Sequence, residues 1–149
     1  MRERLMTDLK LAMKGGDKMK VATLRLMQAA IKDKDIEARG LGKTVSDDDI
    51  LALLQKMVKQ RQESLGIFEK AGREDLAAQE RSEIAIINSY LPQPLSDDAA
   101  KAAIAAAIAE TGAASVKDMG KVVAVLKSKY SGQMDFSKAS GMVKAALTG

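Results

Sequence analysis

Apolar residues recur along this chain at intervals of three and four, and stretches that alternate residue by residue are nearly absent. A period near 3.6 predicts helices, not strands. Leu5, Leu9, Ala12 and Met13 place a first helix over residues 2–14. Gly15-Gly16 ends it, because glycine accepts the left-handed backbone that closes helices. Asp17 is positioned to cap a second helix reaching to about residue 39. Its buried stripe is Val21, Leu24, Met27 and Ile31, widened by Ala22, Leu26 and Ala29. Gly40-Leu41-Gly42-Lys43-Thr44 follows as a loop. Ser46 then precedes Asp47, Asp48 and Asp49. A hydroxyl cap followed by negative charge suits the positive end of a helix dipole. Ile50, Leu53, Leu54, Met57, Val58, Leu65 and Phe68 carry this third helix to Ala71, where Gly72 stops it. A fourth helix over residues 73–89 turns Leu76, Ile84 and Ile87 inward.

Both prolines fall in Tyr90-Leu91-Pro92-Gln93-Pro94-Leu95-Ser96. Each lacks a backbone donor and holds its predecessor extended, so no helix passes through. The joint either flexes at Pro92 and Pro94 or is locked by packing of Tyr90, Leu91 and Leu95. Beyond it, Ser96 caps an Ala-rich helix to Glu110, with Ile104 and Ile108 inward. Ser115 caps a helix bearing Met119, Val122, Val123, Leu126 and Tyr130, and Ser131-Gly132 breaks it. Asp135 caps the last helix, which buries Phe136, Ala139, Val143 and Leu147. The expected fold is all-α: an N-terminal four-helix domain over residues 1–90, a proline-containing linker over 91–95, and a C-terminal three-helix domain over 96–149. The C-terminal piece is small enough for its core to be marginal. There is no fixed-period repeat, and the only low-complexity tract is the Ala run at 99–109.

Composition narrows the chemistry. The chain has no Cys and no His, which removes disulfides, thiolate metal sites, cysteine nucleophiles and the commonest general base. It has no Trp, and Phe68, Phe136, Tyr90 and Tyr130 are its only aromatic residues. These are too few for a base-stacking platform. Nine Met and abundant Ala favour helix packing. No apolar run approaches 18 residues, and Met1-Arg2-Glu3-Arg4 does not open a secretory signal. The expectation is therefore a cytoplasmic protein with no membrane association. No catalytic residue, metal site or cofactor is expected.

Some motifs invite chemistry and do not sustain it. Gly40-Leu41-Gly42-Lys43-Thr44 resembles the end of a phosphate-binding loop, but Glu37 stands where that motif needs its first glycine, and the preceding segment is helical. Asp33, Asp35 and Glu37 alternate with Lys32, Lys34 and Arg39, the pattern of a solvated helix face. Asp47 to Asp49 read as dipole partners. Ser64 lies near Lys59 and Lys70 in sequence, but all are expected to be exposed, so no activated Ser-Lys pair is expected.

The basic residues change the picture more. The net charge is +4, split equally between residues 1–90 and 91–149. Lys56, Lys59, Gln60, Arg61 and Gln62 crowd the third helix, and Lys56, Lys59 and Gln60 share a face. Residues 111–149 hold Lys117, Lys121, Lys127, Lys129, Lys138 and Lys144 against only Asp118 and Asp135. If both acids serve helix starts, the outward field of the last two helices is nearly all lysine. Such a face is either a solubilising surface or a contact for phosphates with little base readout.

Several runs carry a resemblance across nearly the whole chain. They are Ala12-Met13-Lys14, Leu24-Arg25-Leu26, Lys59-Gln60-Arg61-Gln62-Glu63-Ser64 and Ala71-Gly72-Arg73-Glu74-Asp75-Leu76. Glu80, Glu83-Ile84 and Tyr90-Leu91-Pro92 follow, then Lys117-Asp118-Met119-Gly120-Lys121-Val122, Gly132, Asp135 and Val143-Lys144. Together they resemble the YqeY family, and the C-terminal part resembles the tail domain of the B subunit of glutamine-dependent aspartyl/glutamyl-tRNA amidotransferase. The resemblance implies two helical domains and, in the amidotransferase tail, help in holding tRNA. Homologues often carry the label of carbon–nitrogen ligase with glutamine as amido donor, which describes the whole amidotransferase. Two departures stand out: Gln133-Met134, where relatives tend to place a basic and a small residue, and Val123-Ala124 after Gly-Lys-Val.

The resulting expectation is a non-catalytic tRNA-binding or amidotransferase-related accessory protein. Its candidate RNA contacts are Lys117, Lys121, Lys127, Lys129, Lys138, Lys144, Lys56, Lys59 and Arg61. Expected partners are tRNA and possible amidotransferase subunits or tRNA-charging enzymes. The alternatives are a protein-interaction adaptor and a ligase component active only with partner subunits. Lys117 and Lys121, four apart, could grip one phosphate ridge. Gly120 inside a helix suggests a close approach by a helix or by an RNA backbone. Arg73, more than Arg61, is expected to pair with Glu80 and Glu83.

Overall fold

The computed structural model describes residues 1–148. Their regular secondary structure is all helical, with no strand among them. Chain contacts divide the protein into two compact units, Met1–Leu91 and Pro92–Gly149.

The first unit holds α1 (Arg2–Gly15), α2 (Lys18–Gly40), α3 (Asp47–Lys70) and α4 (Glu74–Asn88). Local chemistry sets these boundaries. Asp17 accepts from the Lys20 backbone at 3.1 Å and starts α2. Ser46 and Asp49 form a reciprocal capping box at the start of α3. The Asp49 N–H donates to Ser46 Oγ at 3.1 Å, and the Ser46 N–H donates to Asp49 Oδ2 at 3.0 Å. Two orphan donors are thereby satisfied. Gly72 sits at φ 68°, which a residue with a Cβ adopts only under strain, and this turns α3 back into α4.

The core of this unit gathers Leu5, Leu24, Met27, Ile50, Leu54 and Ile87, each fully buried. The inward side of α2 is narrower than its apolar residues predict. Leu26 is 46% exposed, and Ala22 and Ala29 are also exposed. They do not widen the stripe: the buried arc centres on Leu24, Met27 and Ile31, and Leu26 lies about 100° from Met27 on the outward side. Thr23 is buried instead, its hydroxyl donating to Met19 Sδ at 3.9 Å.

The end of the unit is tied to its beginning. Tyr90, 4% exposed, donates its hydroxyl to Asp8. The Arg4 guanidinium lies 4.5 Å from the Tyr90 ring centroid and donates to the Ser89 carbonyl at 3.0 Å. Burial, then the Asp8 carboxylate, pushes the Tyr90 phenol well above its ordinary pKa. Arg2 grips Asp35 with two bonds of 2.8 and 2.7 Å, fixing α1 antiparallel to α2.

The second unit holds α5 (Asp97–Thr111), a single 3-10 turn (Val116–Asp118), α6 (Met119–Lys129) and α7 (Phe136–Thr148). Ser96 caps α5 through the Ala99 N–H at 3.2 Å. Asp135 accepts from the Ser137 N–H at 3.0 Å at the start of α7. Ile104, Val122, Leu126, Ala139 and Val143 fill the core, with small Ala103 and Ala107 letting α5 approach closely. Gln133-Met134 takes a structural part. Met134 is 6% exposed in this core. The Leu95 N–H donates to the Gln133 carbonyl at 3.0 Å, and Gln133 Nε2 donates to the Gln93 carbonyl at 3.2 Å. The turn between α6 and α7 thus holds the proline-containing segment at Gln93 and Leu95.

Candidate nucleic-acid interface

The basic C-terminal face is built from the start of α6. Asp118 accepts from the backbone N–H of Ala114 at 3.0 Å and of Ser115 at 3.4 Å. These donors hold its carboxyl below the usual carboxylate range, so it stays ionised and committed to the backbone. Lys117 and Lys121 stand on either side of it, four residues apart and both exposed. Lys127 and Lys144 are also exposed. Among the described residues, these four lysines form no ion pair.

The other two C-terminal lysines are engaged. Lys129 Nζ meets Glu110 Oε2 at 2.7 Å, and Lys138 Nζ lies 3.8 Å from Asp97 Oδ1. Both pairs are solvent-exposed and weak, yet each places a carboxylate beside a lysine that the sequence left unopposed. The acids come from α5, not from the last two helices, so the all-lysine field is interrupted at Lys129 and Lys138. Lys121 and Lys127 are six residues apart on α6 and therefore about a third of a turn apart around it. The lysines form an arc, not one ridge.

Gly120 lies on that arc. Among the described residues, a methyl group placed on it would meet no atom within 4 Å beyond its chain neighbours and the backbone of its own helix. The expected close helix–helix approach at Gly120 is absent, because its side of α6 faces solvent. Ala124, one turn further along, is exposed as well. Lys117, Lys121 and Lys127 thus surround a strip of bare backbone.

On α3, Lys56 and Lys59 are exposed. Arg61 is engaged within the protein. Its side chain is 17% exposed, and its Nε donates to Glu83 Oε2 at 3.0 Å, with Glu83 itself 10% exposed. Arg61 Nη1 also reaches the Met57 carbonyl at 3.3 Å. Arg73 does not reach Glu80 or Glu83; it sits at the start of α4 and pairs with Asp75 at 3.2 Å. The signal for the true pairing was present. Residues 61 and 83 are equally distant from Gly72, so an antiparallel hairpin about that turn sets them side by side.

Glu80 completes this cluster. Its Oε2 is buried with no hydrogen-bond partner. Desolvation first, then repulsion from Glu83, raises its pKa, and Arg61 opposes the shift. A carboxyl with a raised folded pKa is favoured while protonated and costs stability once pH passes through that value. Glu80→Gln is therefore expected to stabilise the protein by about 1 kcal/mol at pH 7. The gain should shrink toward pH 4, as urea melts across that range would show; a gain independent of pH would contradict this account.

Among the described residues, no group of three His, Cys, Asp or Glu side chains could hold a metal ion, and no single helix is long and apolar enough to cross a membrane.

Fold and surface together define a small helical protein whose C-terminal unit presents unpaired lysines around exposed backbone. The chain belongs to the Yqey-like protein family, whose sequence model matches residues 2–147. Among curated proteins it is similar to "Altered inheritance of mitochondria protein 41, mitochondrial" of Saccharomyces cerevisiae (strain YJM789). The identity is 37% over 92 residues, covering 61% of this chain and 49% of the relative. The proteins of that name from Lachancea thermotolerans and Vanderwaltozyma polyspora are each 38% identical. They match over 96 and 88 residues, covering 64% and 58% of this chain and 50% and 46% of theirs. The chain thus spans about half the length of the curated relatives it matches.

Proposed function

We propose that this protein is a non-catalytic tRNA-binding accessory protein related to the tail domain of the amidotransferase B subunit. The observation that carries the reading is the arc of Lys117, Lys121 and Lys127 around Gly120, where no other part of the described residues packs over the backbone. Lysines neutralise phosphates without reading bases, and exposed glycine lets a sugar–phosphate strand approach closely. Any amide-transfer chemistry belongs to partner subunits, with amidotransferase subunits or tRNA-charging enzymes as the candidates. The reading requires a compartment that holds tRNA: the cytoplasm expected from the sequence, or the organelle named in the yeast relatives.

Titrating folded protein with tRNA at rising salt tests it. The logarithm of the affinity should fall linearly with the logarithm of salt concentration. Lys117→Ala/Lys121→Ala should weaken binding roughly tenfold and flatten that slope by about 1 per lysine. No tRNA shift at micromolar protein and low salt would overturn the reading. Gly120→Ala separates fold from function. It should stabilise α6 by up to about 1 kcal/mol, since the added methyl meets open space and alanine favours helix. The same change should lower tRNA affinity, because the methyl stands where the strand approaches. Unchanged affinity in that variant would remove Gly120 from the interface.

A further inference from the structure

The loop that fails as a phosphate-binding motif nevertheless borders a site. The end of α2, residues 41–45 and the first turns of α3 enclose a cleft of about 340 Å³. That volume lies in the range of small-ligand pockets. Its apolar lining includes Leu41, Val45 and Leu53. Leu41 is 67% exposed, a large apolar side chain left in water at the edge of the cleft.

Six lining residues are polar: Lys34 and Glu37, which pair with each other, and Lys43, Thr44, Asp49 and Lys56. Lys43, Lys56 and the Thr44 hydroxyl line the cleft, and among the described residues their side chains form no hydrogen bond or ion pair. Lys34 is already engaged by Glu37 at 3.6 Å. Asp49 accepts the Ser46 N–H on Oδ2 at 3.0 Å, and the hydrogen bonds from Ser46 hold its carboxyl below the usual range. Beside the Lys34–Glu37 pair, the cleft therefore offers two ammonium groups, one hydroxyl and one ionised carboxylate above apolar side chains.

We propose that this cleft binds a nucleoside monophosphate unit. Lys43 and Lys56 take the phosphate, Asp49 accepts from a sugar hydroxyl, and the flat base lies against Leu41, Val45 and Leu53. A phosphate monoester carries a charge of about −1.5 to −2 at neutral pH, which matches two lysines. A carboxylate beside them disfavours a bare anion and selects one that brings a hydroxyl donor. The same chemistry is offered by a free mononucleotide and by the phosphorylated end of an RNA strand. The site lies within the first unit and does not rest on the lysines of the second.

Methyl NMR of the full chain tests it, with AMP, adenosine, inorganic phosphate and a 5′-phosphorylated RNA oligonucleotide as probes. AMP or the oligonucleotide should shift the Leu41, Val45 and Leu53 methyls saturably. Lys43→Ala/Lys56→Ala should weaken that binding at least tenfold, while Lys117→Ala/Lys121→Ala leaves AMP binding unchanged. Saturation by AMP assigns the site to a free nucleotide; saturation by the oligonucleotide alone assigns it to an RNA end. Equal shifts from inorganic phosphate, equal shifts from adenosine, or no methyl shift from either millimolar AMP or the oligonucleotide would overturn the proposal. Both replaced lysines are exposed, so the variant should fold, and an unchanged thermal melt confirms it.

Discussion

Replacing Arg61 with alanine is expected to lower the unfolding free energy by about 3 kcal/mol, a large share of the stability of a small domain. The reason is what remains. Glu83 would keep its burial and lose the Nε contact at 3.0 Å, and Glu80, already without a partner for Oε2, would lose the cation that opposes its raised pKa. Gln79 Nε2 reaches Glu83 Oε1 only at 3.4 Å and carries no formal charge. Urea denaturation at pH 7 measures the loss. Lowering the pH should return part of it, because protonation removes the uncompensated charges. An Arg61→Met/Glu83→Leu double variant should recover most of the stability, since a packed apolar pair often matches a buried ion pair. A single variant within about 0.5 kcal/mol of the parent, the range of ordinary surface substitutions, would show that Glu83 is solvated and that the pair is peripheral.

The second large effect falls in the C-terminal unit. Leu126 is fully buried on α6 in the core it shares with Val122, Ala139 and Val143. Leu126→Ala is expected to cost about 2–5 kcal/mol, the lost transfer energy plus the cavity left behind. Domains of roughly 60 residues bury a smaller fraction of their surface and hold little reserve. Amide exchange in α5, α6 and α7 should then approach that of unfolded chain at 37 °C. Since Lys121 stands on α6 and Lys117 on the 3-10 turn that leads into it, RNA affinity should fall with it, although Leu126 cannot touch a ligand. Retained exchange protection in α6 would show that neighbouring side chains close the cavity.

The helix boundaries were legible because their signals are local. Ser46 with Asp49, Ser96, Asp135 and Gly72 each act within four residues, and each acts where the sequence pattern places it. Which flank of a helix is covered depends on its neighbours, and this is why Leu26 faces water in a helix whose pattern invited it inward. Pairings between helices were legible only in part. Arg61–Glu83 follows from hairpin register about Gly72, but Lys129–Glu110 and Lys138–Asp97 depend on how three helices pack. The candidate site divides the same way. The lysine-rich segment is plain in the sequence, whereas the open space over Gly120 and the cleft beside Leu41 exist only in three dimensions.

The clasp of Arg4 and Asp8 on Ser89 and Tyr90 bears on how the first unit can be handled as a module. Its entry and exit lie side by side, so the segment from Met1 to Leu91 closes on itself almost as a ring. A short peptide could join those ends and a new opening be cut at the exposed loop of residues 41–44 without moving a helix. The same adjacency makes the first two turns of α1 part of the chain's exit: trimming them past Asp8 would release residue 90 as surely as replacing the tyrosine.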